Sequence, residues 1–216
     1  MKTIVLAQKI RTVRQLKGLP VVFARKVIRF NKGAMGKLIA QVVLHANGAF
    51  GAGGGERPTG DDWDDHVVSV LNSCDAILLG RKTYELLGGY WPNDGLREAR
   101  RLAEPLNAIR KYVVSSTLVA PAWEPVTVIA DAPFDRIRAL KGELAGNLIT
   151  YGSSELVAAL AHGSLVDEFH VVVAPLMTGQ LPPFCAALPG SIELDLHEVK
   201  HFAGQRIFLR YAAARK

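Results

Sequence analysis

The alternation of short strand-like runs with helical patterns restricts the fold of this sequence more than any other feature. From Met35 onward, runs rich in Val, Ile and Leu are separated by helical segments and tight turns. Such alternation is typical of an α/β domain built on one central sheet. The predicted strands are Lys37–Leu44, Ala76–Leu79, Tyr112–Ser115, Val126–Ile129, Leu148–Thr150, Glu168–Val173, Leu194–Val199 and Arg206–Tyr211.

Five helical patterns occupy the segments between these strands. The last two strands are joined by the short connection His201–Gln205, which favours a hairpin and therefore a mixed sheet. The glycine-rich stretch Gly51–Gly55 follows the first strand and predicts a mobile loop that closes over a ligand. The predicted helices are Asp61–Asn72, Thr83–Leu87, Arg97–Leu102, Pro133–Lys141 and Ser154–His162.

The composition excludes several protein classes. Two cysteines among 216 residues rule out a disulfide framework and a cysteine-based zinc site. We expect Cys74 and Cys185 to be small buried residues rather than nucleophiles, and the histidines lack metal-ligand spacing, so no metal is expected. No apolar run approaches the roughly 20 residues that a membrane span requires. A reduced cytoplasmic location fits these features best.

The basic charge of the chain is concentrated at its N-terminus. Residues 1–34 hold nine of the 26 cations and none of the 20 acids, so the remainder is mildly acidic. This distribution removes the main support for nucleic-acid binding by residues 35–216, which we take as the folded domain. For residues 1–34 three interpretations stay open: an added or poorly ordered tail, an amphipathic segment on an anionic surface, or a targeting peptide.

Three strand ends share a local design that favours anions. Ile77–Leu79 runs into Gly80–Glu85, where Thr83 can cap a helix and two cations stand beside exposed N–H groups. Tyr112–Val114 runs into three hydroxyl residues, and Leu148–Thr150 runs into a Gly-Ser turn and a helix. Each junction alone is a weak signal, because such turns routinely use Gly and Ser. Together, at the carboxyl ends of neighbouring strands, they predict one crevice for a ligand with several phosphates.

The combination of these segments closely resembles the dihydrofolate reductase-like family. More narrowly, it resembles single-domain relatives of the reductase half of the bacterial riboflavin-biosynthesis deaminase-reductase, over roughly Met35 to Ala212. The resemblance implies a three-layer α/β fold with a central mixed sheet flanked by helices. It is carried by Gly80–Glu85, Tyr90–Pro92, Lys111–Leu118, Tyr151–Ser154, Leu165–His170 and Pro175–Pro183.

The resemblance implies that NADPH lies across the carboxyl edge of the sheet. It assigns the turn after the second strand to the pyrophosphate, the hydroxyl loop to the adenosine-side phosphate, and the Gly-Ser turn to a second diphosphate cradle. An ordinary Rossmann fingerprint is absent, as this family leads one to expect. The implied cofactor-binding residues are Gly80, Arg81, Lys82, Thr83, Ser115, Ser116, Thr117, Gly152, Ser153, Ser154, Glu155 and Leu156.

The substrate side of the predicted site is less clearly marked. Family members commonly show an Asp-Gly pair after the first strand, whereas this chain has Asn47 before Gly48. An amide cannot deliver a proton as a carboxylic acid does, although it can hydrogen-bond a ring. Asp62 and Asp65 either begin a helix that favours acids or supply a carboxylate to the substrate. Tyr90 and Trp91 either wall the acceptor pocket or belong to the core.

Two functions remain in competition at this point. The leading hypothesis is a cytoplasmic NADPH-dependent reductase that acts on a small heteroaromatic, pterin- or aminopyrimidine-like, or carbonyl metabolite. The alternative is a nucleotide-binding module that keeps the cofactor crevice but has lost turnover, and Asn47 favours it. We also expect a homodimer, with neither nucleic acid nor membrane as a partner.

Overall fold

Eight strands pair into one sheet in the computed structural model, which describes residues 36–50, 61–188, 190–203 and 205–214. The strands are β1 (Leu38–His45), β2 (Cys74–Gly80), β3 (Arg110–Val114), β4 (Val126–Ile129), β5 (Asn147–Tyr151), β6 (Glu168–Ala174), β7 (Leu194–Phe202) and β8 (Arg206–Ala213). The helices are α1 (Asp61–Asn72), α2 (Arg81–Tyr90), α3 (Asp94–Glu98), α4 (Arg100–Ala108), α5 (Pro133–Glu143) and α6 (Ser154–His162), with a short 3-10 helix at Phe184–Ala187.

The strand order places the carboxyl ends of six strands at one edge. The order is β4-β3-β2-β5-β1-β6-β8-β7. All neighbours from β4 to β6 are parallel, whereas β8 runs antiparallel to β6 and β7 antiparallel to β8. The sheet is therefore mixed, as the hairpin signal predicts. We call the edge where the six parallel strands end the carboxyl edge.

Two apolar clusters fill the two faces of the sheet, because successive strand residues point to opposite sides. On one face, Ile39 and Ile77 pack with Trp63 of α1, Tyr84 of α2 and Leu102 of α4. We call this the α1 face. On the other, the α5 face, strand residues pack with the helices α5 and α6. This arrangement of helices, sheet and helices confirms the predicted three-layer α/β fold.

The predicted helices differ from the observed ones in two places. Helix α2 begins at Arg81 rather than Thr83, because Gly80 is still extended and the helix starts without a connecting turn. The predicted helix Arg97–Leu102 is two helices, since Ala99 leaves the helical conformation at φ −146° and ψ 44°. The interpretations of residues 1–34 and of Gly51–Gly55 lie outside the described residues.

Among the described residues, no helix is both long and apolar enough to cross a membrane.

Candidate active site at the carboxyl edge

The first and third predicted junctions are in direct contact. Because β2 and β5 are adjacent and parallel, the turns that follow them meet at the carboxyl edge. The Gly80 amide donates to Ser153 Oγ at 3.3 Å, and Ser153 Oγ donates to Thr83 Oγ1 at 2.6 Å. A Cβ on Gly80 would lie 3.3 Å from Ser153 Oγ, and one on Gly152 would lie 3.4 Å from Thr83 Cγ2. Glycine at both positions lets the two turns approach this closely.

Two helices begin at this contact with uncapped N-termini. The N-cap residues are Gly80 for α2 and Ser153 for α6, and neither makes a side-chain capping bond. The prediction that Thr83 caps α2 is wrong, because its hydroxyl accepts from Ser153 instead. Uncapped backbone N–H groups and the positive end of the helix dipole favour an anion. The contact therefore has the backbone geometry of a phosphate site.

Charged side chains surround this contact, but they are not all directed at it. Arg81 Nη1 donates to both carboxylate oxygens of Glu85, at 3.0 and 3.1 Å, within the first turns of α2. Lys82 is exposed. On α6, Ser154 is half-buried and Glu155 exposed, whereas the Leu156 side chain packs against the core of the α5 face. Leu156 can therefore contribute only its backbone to a bound phosphate.

The second predicted junction lies one strand away. Val114, the last residue of β3, is the register partner of Gly80, so the loop that follows β3 borders the same edge. Ser115 Oγ accepts from the backbone N–H groups of Thr117 and Leu118, at 3.1 and 3.0 Å, and thereby holds its own turn. Ser116 and Thr117 are exposed. The Thr117 hydroxyl lies 3.4 Å from Ser115 Oγ, so Ser116 has the freer side chain for a ligand at this loop.

The three candidate catalytic residues do not converge. Asn47 Nδ2 donates to the Thr178 carbonyl at 2.8 Å. The Asp62 carboxylate accepts from the backbone amides of Trp63 and Ala203, both at 2.8 Å, and so ties α1 to the β7–β8 turn. Asp65, in contrast, forms an ion pair with Arg101 of α4. Asp62 and Asp65, on adjacent faces of α1, therefore contact different neighbours, and neither position reveals an acid beside the junctions.

The aromatic pair lies at the other end of α2 from the phosphate-like contact. Tyr90 ends this ten-residue helix, about 15 Å of helix from Gly80. Its ring packs edge-on against Trp91 at 5.1 Å between centroids, and its hydroxyl donates to Glu98. Trp91 is half-buried against the core of the α1 face. The structure thus does not bring Tyr90 and Trp91 to the junctions.

Polar side chains on the α1 face were missed by the sequence predictions. Gln41, Tyr151, His170 and His66 each bury a polar atom without a hydrogen-bond partner among the described residues. A signal for two of them was present, because Gln41 lies between apolar residues of β1 and His170 lies between Phe169 and Val171 of β6. Buried polar atoms in such strands require a hydrogen-bond partner. The described chain supplies one to His170 Nε2, from Glu168, but none to His170 Nδ1 or Gln41 Oε1.

Both histidines in this group are held neutral at physiological pH. Burial, with smaller contributions from Lys200 and His170, lowers the pKa of His66 from 6.5 to about 4. Burial also lowers the pKa of His170, although its Nε2 contact with Glu168 Oε2 at 3.2 Å opposes this effect. Burial disfavours ionisation of Glu168, but hydrogen bonds to Lys37 and His170 outweigh it and keep the pKa of Glu168 below its usual value.

The cysteines differ from each other in environment. Cys74 is buried, and burial raises the pKa of its thiol to about 11, which fits an unreactive core residue. Cys185 is exposed, so the expectation that it is buried is wrong. It lies in the short 3-10 helix Phe184–Ala187. Within the described ranges, no group of three or more His, Cys, Asp or Glu side chains could hold a metal ion.

Comparison with known proteins places this geometry in a family. The family model for the RibD C-terminal domain matches residues 37–208. The chain belongs to this family. The match includes all three junctions and the buried polar side chains of the α1 face. It confirms the resemblance inferred from the sequence motifs.

Similar proteins agree with this assignment. The chain is 26% identical over 151 residues to YyaP of Bacillus subtilis strain 168, covering 69% of this chain and 80% of YyaP. It is similar in structure to a diaminohydroxyphosphoribosylaminopyrimidine deaminase/5-amino-6-(5-phosphoribosylamino)uracil reductase from Thermotoga maritima, with a TM-score of 0.59, 14% identity and coverage of 83% and 57% of the two chains. The dihydrofolate reductase of Schistosoma mansoni gives a TM-score of 0.56, 19% identity and coverage of 84% and 100%. The fold is therefore dihydrofolate reductase-like.

Proposed function

We propose that this RibD C-terminal domain protein is an NADPH-dependent reductase that acts on a small heteroaromatic, pterin- or aminopyrimidine-like, or carbonyl metabolite. The observation that carries the proposal is the contact between Gly80, Thr83 and Ser153, which brings two uncapped helix N-termini together at the carboxyl edge. The family supports a reductase, because the Thermotoga maritima protein of similar fold is named as one.

The residues at the edge fit the diphosphate of such a cofactor. The backbone N–H groups at the starts of α2 and α6 would bind phosphate oxygens, and the glycines at positions 80 and 152 keep side chains out of their path. Arg81 and Lys82 would add charge, with Arg81 exchanging its bond to Glu85 for one to phosphate. When bound, NADPH supplies the hydride, and the protein orients the acceptor beside it.

The reaction also requires a proton, and the contacts of Asp62, Asp65 and Asn47 bear on its source. Both oxygens of Asp62 accept backbone N–H bonds, Asp65 pairs with Arg101, and the Asn47 amide is bound to Thr178. None of these groups carries a proton positioned for transfer. We therefore propose that water delivers the proton to the reduced ring.

Binding of the cofactor is the first test. NADPH at about 100 times its dissociation constant should stabilise the fold by roughly 2.7 kcal/mol, a rise in Tm on the order of 5–10 °C. NADH should give a smaller shift, because Arg81, Lys82 and the loop Ser115–Thr117 offer donors for the additional phosphate. Equal shifts by both nucleotides, measured by differential scanning fluorimetry, would remove the phosphate preference.

A matched pair of variants tests the location of the site. Gly80→Ala places a methyl group 3.3 Å from Ser153 Oγ, at the start of α2, without requiring a positive φ. We expect NADPH affinity to fall roughly tenfold or more by calorimetry. Gly89→Ala is the control, because nothing lies within 4 Å of a Cβ at that position of the same helix. Unchanged affinity in Gly80→Ala would exclude the proposed diphosphate site.

The alternative function is a nucleotide-binding module without turnover. One observation favours this module. The Asn47 amide, at the position where the family commonly has a carboxylate, donates to the Thr178 carbonyl. NADPH oxidation measured at 340 nm against a panel of pterins, aminopyrimidines and carbonyl metabolites separates the two. Tight NADPH binding with no oxidation across the panel would establish the module.

We propose in addition that the protein is a homodimer joined through the outer hairpin. Leu194, Leu196, Val199 and Ile207 are exposed on the α5 face of β7 and β8, while the charged Glu198, Lys200 and Arg210 pair with each other on the opposite face. An uncharged apolar face fits a second copy of itself around a two-fold axis, because such an interface uses the same patch twice. Aliphatic surface of this kind is a liability in a monomer.

A further inference from the structure

A wholly buried lysine contacts the loop that carries the second predicted junction. Lys111 of β3 is 0% exposed. Its Nζ donates to the Asn107 carbonyl at 2.6 Å and to the Glu124 carbonyl at 3.1 Å. It also lies 4.5 Å from the centroid of the Trp123 ring, which is within the range of a cation–π interaction. The ammonium therefore joins α4 to the end of the β3–β4 loop, residues 115–125.

The same loop is attached to α2 through Trp123. The Trp123 amide donates to the Tyr84 hydroxyl at 2.7 Å, and its indole Nε1 donates to Asn107 Oδ1 at 2.6 Å. Tyr84 lies near the start of α2, the helix that follows Gly80 at the first junction. A Cβ on Gly88 of this helix would lie 3.1 Å from Trp123 Cβ, so glycine allows the close approach. One cluster of side chains thus fixes the end of the loop relative to α2.

The surroundings of the ammonium favour loss of its proton at mildly alkaline pH. Burial lowers the pKa of Lys111 to about 8, although the Glu124 carboxylate of the loop opposes this effect. Burial raises the pKa of Tyr84, so this group of α2 stays neutral in the same range. From α4 the ammonium meets the uncharged Asn107, and its register partners on β2 and β4 are apolar. The protonated form is therefore less favourable in the fold than in water, and groups of this kind are frequent at functional sites.

We propose that Lys111 is a positioning residue that holds the β3–β4 loop, and with it the Ser116 hydroxyl, where the loop binds the adenosine-side phosphate of the cofactor. The inference rests on the proposed function for the identity of the ligand. Lys111 is wholly buried, so it acts through the loop and does not contact the cofactor. Its bond to the Glu124 carbonyl and its contact with the Trp123 ring both weaken when the charge is lost. Loss of the proton should therefore release the loop and weaken binding of the adenosine half.

The competing explanation is that Lys111 only closes the C-terminal end of α4. Its bond to the Asn107 carbonyl, next to the last residue of that helix, would serve this purpose alone. The two explanations differ in how affinity and stability depend on pH. Between about pH 8 and pH 10.5 the unfolded chain binds a proton at Lys111 that the folded protein does not, so this group stabilises the fold as the pH rises. A purely structural lysine therefore predicts no loss of affinity at pH 9, whereas the positioning role predicts one.

The test measures binding of NADPH and of adenosine 2′,5′-bisphosphate, which contains only the adenosine half, to the full-length protein by calorimetry at pH 7, 8 and 9. With a pKa of about 8, about one protein in ten keeps the Lys111 proton at pH 9, so the affinity for both ligands should fall roughly tenfold from pH 7. Lys111→Met should bind both roughly tenfold more weakly at pH 7, with no further loss at pH 9. Lys111→Arg keeps its charge throughout, so its affinity should not fall with pH. In urea unfolding, wild type should lose no stability relative to Lys111→Met over the same range.

Lys141→Met is the matched control. Lys141 of α5 is a second buried lysine, which donates to the Leu165 carbonyl and pairs with Asp167. The variant should keep the wild-type affinities and their pH dependence. Hydrogen exchange gives a readout without ligand, because the amides of residues 116–122 should exchange faster in Lys111→Met than in wild type and Lys141→Met. Exchange in β5 should be the same in all three proteins.

Several outcomes would overturn the inference. Equal affinity for adenosine 2′,5′-bisphosphate at pH 7 and pH 9, or wild-type affinity in Lys111→Met, rejects the positioning role. Losses that Lys141→Met shares assign the effect to general destabilisation of the fold. If neither ligand binds wild type, the proposed cofactor is rejected, and unchanged loop exchange in Lys111→Met then rejects the attachment of the loop as well. If Lys111→Met does not fold, the pH profiles of wild type and Lys111→Arg decide.

Discussion

Replacement of His66 by leucine should remove much of the sensitivity of this fold to mild acid. The His66 ring packs against Phe208 at 4.4 Å and Phe202 at 5.1 Å between centroids, and its Nε2 is buried without a partner among the described residues. Burial there favours the neutral ring. Lys200 and His170 add to this preference, and Glu198 opposes it, so the pKa is lowered from 6.5 to about 4.

The sign and size of the effect follow from proton linkage. Between pH 6.5 and about pH 4 the unfolded chain binds a proton at His66 that the folded protein does not, so the free energy of unfolding falls as the pH falls through this window. At pH 5 the solution lies about 1.5 pH units below the unfolded pKa, and each unit corresponds to about 1.4 kcal/mol. The expected loss between pH 7 and pH 5 is therefore about 2 kcal/mol.

The assay is urea unfolding at pH 7, 6 and 5 for wild type, His66→Leu and His162→Leu. His162 is an exposed residue at the end of α6, so His162→Leu should keep the wild-type pH dependence. His66→Leu should lose most of the 2 kcal/mol and keep the smaller slope due to His170, whose pKa burial also lowers. The reasoning fails if His66→Leu retains the full wild-type loss, or if wild type gains stability between pH 7 and pH 5.

Three further changes test the contacts assigned above. Asp62→Ala should lower the free energy of unfolding by about 2 kcal/mol, because two backbone N–H groups lose a charged acceptor. Asp65→Ala loses only an exposed ion pair, so it should lower the free energy of unfolding by less than about 1 kcal/mol. Both values are measured by the same urea titration. Asn47→Asp should lower the Tm by roughly 2–4 °C, since a carboxylate cannot donate to the Thr178 carbonyl; an unchanged Tm would show that this bond is weak in solution. Leu196→Glu should convert a dimer to a monomer in sedimentation velocity, whereas Val119→Glu, at an exposed position in another part of the chain, should not; a monomeric wild type would refute the hairpin interface.

Local sequence patterns were sufficient to predict the strands of the sheet. Most strands are runs rich in Val, Ile and Leu, and β7 alternates apolar with polar residues. All eight predicted strands are present, with ends shifted by a few residues. The junctions could also be predicted, because Gly80 and Gly152 end strands that the α/β pattern makes parallel neighbours. Their direct contact through Ser153 could not be, since it joins residues 70 and 73 positions apart.

Helix periodicity does not predict the hydrogen-bond partners of the candidate carboxylates Asp62 and Asp65. The helical spacing puts Asp62 and His66 on one face of α1, but it gives no indication that Asp62 accepts from Ala203, 141 residues further along the chain. The partner of a polar side chain is set by the packing of distant elements. For that reason, the sequence alone could not show that Asp62 and Asp65 are both engaged by other parts of the chain.

A polar residue inside a buried strand is a sequence signal that the predictions did not use. Gln41 and His170 lie in strands whose neighbouring residues are buried and apolar, and a polar side chain there destabilises the fold unless something bonds to it. The proposed phosphate site does not require a buried polar side chain that destabilises the fold. Backbone N–H groups at helix N-termini, which every strand-to-helix junction has, can bind the anion. It follows that affinity for the proposed cofactor should survive most side-chain changes at the edge.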